Sequence, residues 1–213
     1  MSTSQLQLPD APSREETKAD PRKTLDWIST CLAQIYSVPT PATADSKASY
    51  STLYTTVWNY CTTTRDERRS GDVSVVSSKD LYANLERAIQ AYCQAALEDV
   101  ITRDKDSILE AYTQQWAIFT RLRSQVSHLL RPLEDRWIER ERVDGRGDVL
   151  GISELHTELW RREVFKASTE AVISDALVVM EREDEGSEVL RETLAESRSV
   201  GLVMSGGRLV GLS

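Results

Sequence analysis

What this chain lacks narrows it before any motif is read. No stretch approaches the ~18 consecutive apolar residues of a membrane-spanning helix. The N-terminus is polar and rich in acids, unlike a secretory signal. Positive charge is not in excess, since 34 Asp and Glu outweigh 26 Lys and Arg for a net charge of -8. A nucleic-acid binder normally carries a basic face. Neither membrane nor nucleic acid is therefore expected as a partner. Cysteine is scarce. Cys31, Cys61 and Cys93 are odd in number, widely spaced and set in helical patterns. Reduced, half-buried thiols in a cytoplasmic or nuclear protein fit that pattern better than disulfides or metal ligands.

Catalytic constellations are missing too. The two histidines, His128 and His156, have no metal-ligand spacing with a cysteine or with each other. Both are expected at a helix surface or rim. His156-Thr157-Glu158 has the H-x-E of zinc deaminases, but no P-C-x-x-C accompanies it. Neither a G-x-S-x-G elbow nor a G-x-x-x-x-G-K-[ST] loop occurs. Adjacent acids such as Glu134 and Asp135 point to different sides of a helix and read as a solvated face. No catalytic residue, cofactor or metal site is expected.

What is present is helical periodicity. With 213 residues, 40% hydrophobic and 28% charged, the chain can bury a substantial core. Residues 1–23, with Pro9, Pro12 and Pro21 among polar side chains, read as a disordered tail. Thr24 is placed to cap a helix whose core stripe is Leu25, Ile28, Leu32 and Ile35. Val38-Pro39-Thr40-Pro41 stops it. A charged segment from Thr63 to Ser78 reads as a solvated loop. Ser77 to Asp80 forms a capping-box-like start, with Asp replacing the usual Glu. Leu81, Leu85, Ala88, Ile89, Tyr92, Ala96 and Val100 then hold a helical period to about Thr102. Another helix, starting at Asp106 or Ser107, runs through Ile108, Leu109, Tyr112, Trp116, Phe119, Val126 and Leu130. Pro132 should kink or divide it. The pattern resumes from Leu150 to Met180, gives way to an acidic linker at 181–188, and allows a short helix at 190–197. The glycines and aliphatics of 200–213 suit a hairpin or an unstructured end.

The most informative stretch is Ala48 to Cys61. As a helix it stacks Tyr50, Tyr54 and Trp58 along one face at i, i+4 and i+8. Leu53, Val57 and Tyr60 form an adjoining stripe, so the apolar surface is wider than one buried seam requires. One stripe can face the core and the other a partner. Both can equally be core. Many threonines lower its intrinsic helix propensity, so packing must hold it.

These residues carry a resemblance to a known family. Leu53-Tyr54 with Val57-Trp58-Asn59-Tyr60-Cys61-Thr62 resembles the second helix of the first cullin repeat, cullin-1 type. Leu81-Tyr82, Tyr112-Thr113-Gln114-Gln115-Trp116, Asp135-Arg136-Trp137-Ile138 with Gly145-Arg146, and Trp160-Arg161-Arg162 with Phe165 are similar to later blocks of that family, in the same order. The sequence departs from it at Leu133 and Glu134, where cullins commonly carry an aromatic and an apolar residue. The resemblance runs from about Leu25 to about Met180.

It implies an all-α cullin-repeat helical solenoid. One five-helix repeat would span residues 24–147 and part of a second 148–199, with 200–213 unassigned. It further implies a non-catalytic scaffold arm of an SCF-type ubiquitin ligase, binding a Skp-type adaptor with its F-box protein. Tyr50, Ser51, Tyr54 and Trp58 on one helix, and Leu133, Arg136 and Trp137 on another, would form the adaptor surface. No RING subunit is expected, because the family's recruiting region lies beyond Ser213. The competing readings are an all-helical tethering or trafficking repeat with another partner, and a non-functional cullin fragment.

Overall fold

The computed structural model describes residues 10–37, 44–64, 76–103, 107–164, 202–205 and 208–211. Among the described residues the fold is all-α apart from one hairpin. Its elements are α1 (Arg14–Ala19), α2 (Pro21–Ser37), α3 (Ala44–Thr63), α4 (Ser78–Ile101) and α5 (Ile108–Leu129), then α6 (Arg131–Leu133), a π turn (Glu134–Ile138), α7 (Glu139–Val143), α8 (Ile152–Glu163), β1 (Leu202–Ser205) and β2 (Arg208–Gly211). The chain divides into two compact units, Met1–Ile89 with Leu122–Leu155, and Gln90–Arg121 with His156–Ser213.

The expectation of disorder through residue 23 fails where the structure describes the chain. Ser13 and Glu16 form a reciprocal capping box, with Glu16 N donating to Ser13 Oγ and Ser13 N to Glu16 Oε2. Two orphan amides at the start of α1 are thereby satisfied. Thr17 is buried, and its hydroxyl accepts from Thr24 Oγ1 at 3.2 Å. Thr24 is accordingly not a cap. It lies inside α2, which starts at Pro21, a residue suited to a first helical position because the amide it lacks would go unpaired there.

The first unit is built on α2 and α3, which pack together, with α1 against both. The predicted stripe of Leu25, Ile28, Leu32 and Ile35 is buried, and so are Leu53, Val57, Tyr60 and Cys61 on α3. From α4, Leu81, Leu85 and Ile89 join this core, and Asn84 Nδ2 donates to Ser29 Oγ on α2 at 2.7 Å. The start of α4 is as expected in kind. Asp80 reaches back to accept from Ser77 N at 2.7 Å and from Ser77 Oγ at 3.0 Å. The aromatic helix α3 begins at Ala44.

Pro132 divides the helical run as expected, but not into one clean fifth helix. After α5 the backbone breaks at Leu130 (φ -96°, ψ 14°), and Pro132 sits in the first turn of α6. The chain then widens into the π turn, closed by Glu139 N donating to Glu134 O, before tightening again in α7. Single π turns of this kind recur at functional sites. At the end of α7, Gly145 takes φ +86°, a left-handed conformation that costs glycine little. Gly145 N donates to Arg142 O and Arg146 N to Glu141 O, the paired bonds of a Schellman ending.

The second unit has an aromatic core. Trp160 stacks within 4.6 Å of Phe119 and 5.3 Å of Trp116, centroid to centroid, and Tyr112 tilts against it at 6.1 Å. His156 is fully buried there, 5.7 Å from Phe119, rather than at a rim. His128 is exposed, as expected. Tyr92 Oη donates to Gln115 Oε1, and Gln115 Nε2 donates to Asp99 Oδ2 at 2.8 Å, a chain of bonds tying α4 to α5. The Arg103 guanidinium and then Gln115 hold the Asp99 carboxyl below its ordinary range. Of the hairpin or unstructured end that 200–213 suited, the hairpin is present: β1 and β2 are antiparallel, with Leu202 opposite Gly211 and Ser205 opposite Arg208.

The cysteines are free, and all three are fully buried rather than half-buried. Burial raises each thiol to about 12. The stop at 38–41, most of the charged loop, the helical pattern from Phe165 to Met180, the linker at 181–188 and the short helix at 190–197 lie outside the described residues. No described helix is long and apolar enough to cross a membrane.

Candidate partner-binding surface

Helix α3 presents two faces that differ in exposure. One carries Leu53, Val57 and Tyr60 into the core. The other carries Tyr50 and Tyr54, both half-buried, Ser51, exposed, and Trp58, 41% exposed. The helical spacing decides this split, because i, i+4 and i+8 share a side. Tyr50 has its hydroxyl pKa raised, first by desolvation and then by neighbouring Tyr54. Trp58 is one of three large apolar side chains left exposed among the described residues, with Ile101 and Val143.

Across from Trp58 lies the π turn. The Arg136 guanidinium carbon sits 4.1 Å from the centroid of the Trp58 ring, a cation–π geometry. Two segments some eighty residues apart in sequence are thus brought together at the positions read from the sequence. Arg136 is half-buried, and neighbouring Asp135 turns to Arg131 at 3.5 Å.

The other two residues expected on this surface are not there. Leu133 has no exposed area, and Trp137 has 8%. Trp137 packs on Tyr82 of α4, with ring centroids 5.3 Å apart and an interplanar angle of 49°. Tyr82 is itself pinned, its hydroxyl donating to Leu150 O at 3.1 Å and accepting from Leu150 N at 3.2 Å. Desolvation raises its pKa to about 12. Leu133 and Trp137 hold the π turn against the core, which leaves Tyr50, Ser51, Tyr54, Trp58 and Arg136 as the candidate surface.

Glu134, where the sequence departs from the cullin pattern, has a different task. Its Oε2 accepts from Ile152 N at 2.9 Å, satisfying an orphan amide at the start of α8. Glu154 reaches back to Gly151 N at 2.9 Å and also meets Arg142 Nη2 at 2.8 Å. The bond from Gly151, followed by the one from Arg142, lowers the Glu154 pKa. A Cβ built on Gly151 would stand 2.9 Å from Glu134 Oε1 and 3.2 Å from Glu154 Oε2, so both carboxylates would have to shift for any larger residue. Sequence reasoning did not anticipate these roles for Tyr82 and Glu134. Both are set by partners about seventy and twenty residues away, which no local pattern encodes.

Among the described residues no three His, Cys, Asp or Glu side chains gather as metal ligands. Aromatic rings, a hydroxyl and one guanidinium on two elements of an all-helical repeat form the candidate surface. The model of the cullin alpha solenoid domain matches residues 26–204, most of the chain, and the chain belongs to the cullin family. It is 27% identical to Cullin-1 of Caenorhabditis elegans over 153 residues, covering 65% of this chain and 20% of that protein. It is 20% identical to Cell division control protein 53 of Saccharomyces cerevisiae over 157 residues, covering 70% of this chain and 19% of that protein. Cullin-1 of Dictyostelium discoideum is 22% identical over 151 residues, covering 67% and 20%. The chain thus spans about a fifth of the length of these relatives.

Proposed function

We propose that this chain is a non-catalytic adaptor-binding arm of an SCF-type ubiquitin ligase scaffold, and that it binds a Skp-family adaptor carrying an F-box protein through the α3 face. The observation that carries the reading is the half-open Trp58 ring with Arg136 over it, two residues that the family resemblance assigns to the same surface. Large aromatic side chains and arginine are the residue types that dominate binding energy at interfaces. Such an arm contributes to ubiquitin transfer by holding one reactant near another. It needs no reactive group of its own.

The test is titration of the purified full chain with a Skp-type adaptor bound to an F-box protein, and separately with a BTB-domain protein. Binding of the first and not the second is expected. Trp58→Ala and Tyr54→Ala should each weaken binding by about thirtyfold, or ~2 kcal/mol. Helicity should be retained. Unchanged binding in both variants with the fold intact would remove the α3 face from the interface. Preference for the BTB protein would reassign the adaptor.

A further inference from the structure

The residues beside the docking face differ in charge from the chain as a whole. Lys79 at the start of α4, Arg136 on the π turn, Arg140 on α7 and Arg146 just after it line one cleft of about 230 Å³, together with Glu141 and Ser78. Glu141 is fully buried, and its Oε2 lies 3.0 Å from Arg146 Nη1 as an ion pair without hydrogen-bond geometry. Lys79, Arg136 and Arg140 remain, and none of them makes an ion pair among the described residues. Asp80, next to Lys79, is occupied with Ser77 N and Oγ. Three cations with no ion-pair partner among the described residues converge on one cleft of a protein whose net charge is -8.

A second observation points the same way. Arg140 Nε is buried and has no hydrogen-bond acceptor among the described residues. A buried donor left unmatched is costly, and a guanidinium more so than a neutral group. Natural structures keep few of them, and a bound ion is one of the standard explanations. The 24-residue helix α4 also opens at this cleft through Ser78 and Lys79, adding the positive end of its dipole.

We propose that this cleft is an oxyanion site that takes a phosphate monoester. A phosphate brings nearly two negative charges and three acceptor oxygens to three cations, two of them arginines able to bind it through paired N–H groups. A single carboxylate offers one charge and two oxygens, too little to match the three. Arg136 belongs both to this cleft and to the Trp58 face, whereas Lys79 and Arg140 belong to the cleft alone.

The test is calorimetric titration of the full chain at low ionic strength with inorganic phosphate, phenyl phosphate and a phosphoserine tripeptide, using acetate as the carboxylate control. Saturable binding of the phosphate probes is expected, with acetate at least about tenfold weaker. Lys79→Gln and Arg140→Gln should each weaken phosphate binding about tenfold, the equivalent of ~1.4 kcal/mol. Lys79 is exposed, so its variant should melt like the native chain and keeps the test sound if Arg140→Gln folds poorly. A phosphopeptide that binds more tightly than inorganic phosphate supports a phosphorylated partner segment as occupant. Equal affinities support a free phosphorylated ligand. Absence of saturation with every phosphate probe, acetate binding as tightly, or native affinity in a well-folded Lys79→Gln would each overturn the proposal. Neither variant touches Tyr54 or Trp58, so failure here is distinct from failure of the adaptor reading.

Discussion

Arg136 and Trp58 meet with the guanidinium carbon 4.1 Å from the ring centroid, which links the π turn to the open face of α3. Because Trp58 is 41% exposed, this contact contributes only about 0.5–1 kcal/mol to folding. Trp58→Ala and Arg136→Ala should each lower stability in urea unfolding, and the coupling between them should be about 0.5–1 kcal/mol. The double variant should lose less than the sum of the two. Strict additivity would mean that the contact has no energetic weight in solution.

Leu133 provides the contrast. Its side chain is fully buried, so Leu133→Ala should cost about 2–5 kcal/mol of stability by leaving a cavity. Any loss of partner binding in that variant should follow the unfolded fraction and recover at lower temperature. A native melting profile with selectively weakened binding would instead place Leu133 at the interface.

The Tyr82 hydroxyl makes two bonds with the backbone of Leu150, one given and one received. Tyr82→Phe should keep the ring against Trp137 and lose both bonds. The half-buried N–H and C=O of Leu150 are then left without that partner, for a cost of about 1–3 kcal/mol. Hydrogen exchange at the Leu150 amide should accelerate in the variant beyond what its global stability explains. An unchanged exchange rate would show that the bond is not formed in solution.

Alkaline pH should destabilise the protein through its thiols. Cys31, Cys61 and Cys93 are raised by burial to about 12, against about 8.5 in an unfolded chain. The folded state therefore binds the thiol protons more tightly. That contribution is complete below about pH 8.5 and is lost as pH rises toward 12. Melting temperatures recorded from pH 7 to 11 should fall above about 8.5, and a variant with all three cysteines replaced by alanine should fall less steeply. Thiol-directed reagents should label the native chain only at the rate at which it opens.

Much of the fold was legible in the sequence because burial follows period. Leu25, Ile28, Leu32 and Ile35 repeat at helical spacing and all lie in the core, and so do Leu81, Leu85 and Ile89. The Asp80 cap was legible because it spans only three residues. The α1 helix was missed because prolines and polar residues dominate the composition there, while the Ser13–Glu16 box that forms the helix is a two-residue signal. For the surface, the family resemblance places Leu133, Arg136 and Trp137 on one face. Trp137 goes inward with Leu133, and Arg136 remains outside, over Trp58. No residue type announces a bond from i to i−5. The cationic cleft was illegible for a related reason, since Lys79, Arg136, Arg140 and Arg146 come from separate elements and each looks locally like an ordinary surface charge.

The unequal burial of the five tryptophans gives the protein a built-in optical probe. Trp27, Trp116, Trp137 and Trp160 are each at most 8% exposed, whereas the Trp58 ring is open to water. The red edge of the intrinsic emission therefore belongs almost wholly to one indole. A quencher confined to solvent should extinguish that component first and leave the blue one intact. Anything that settles on α3 should move the red component to shorter wavelength and shield it, with no label attached, while general unfolding would shift all five the opposite way.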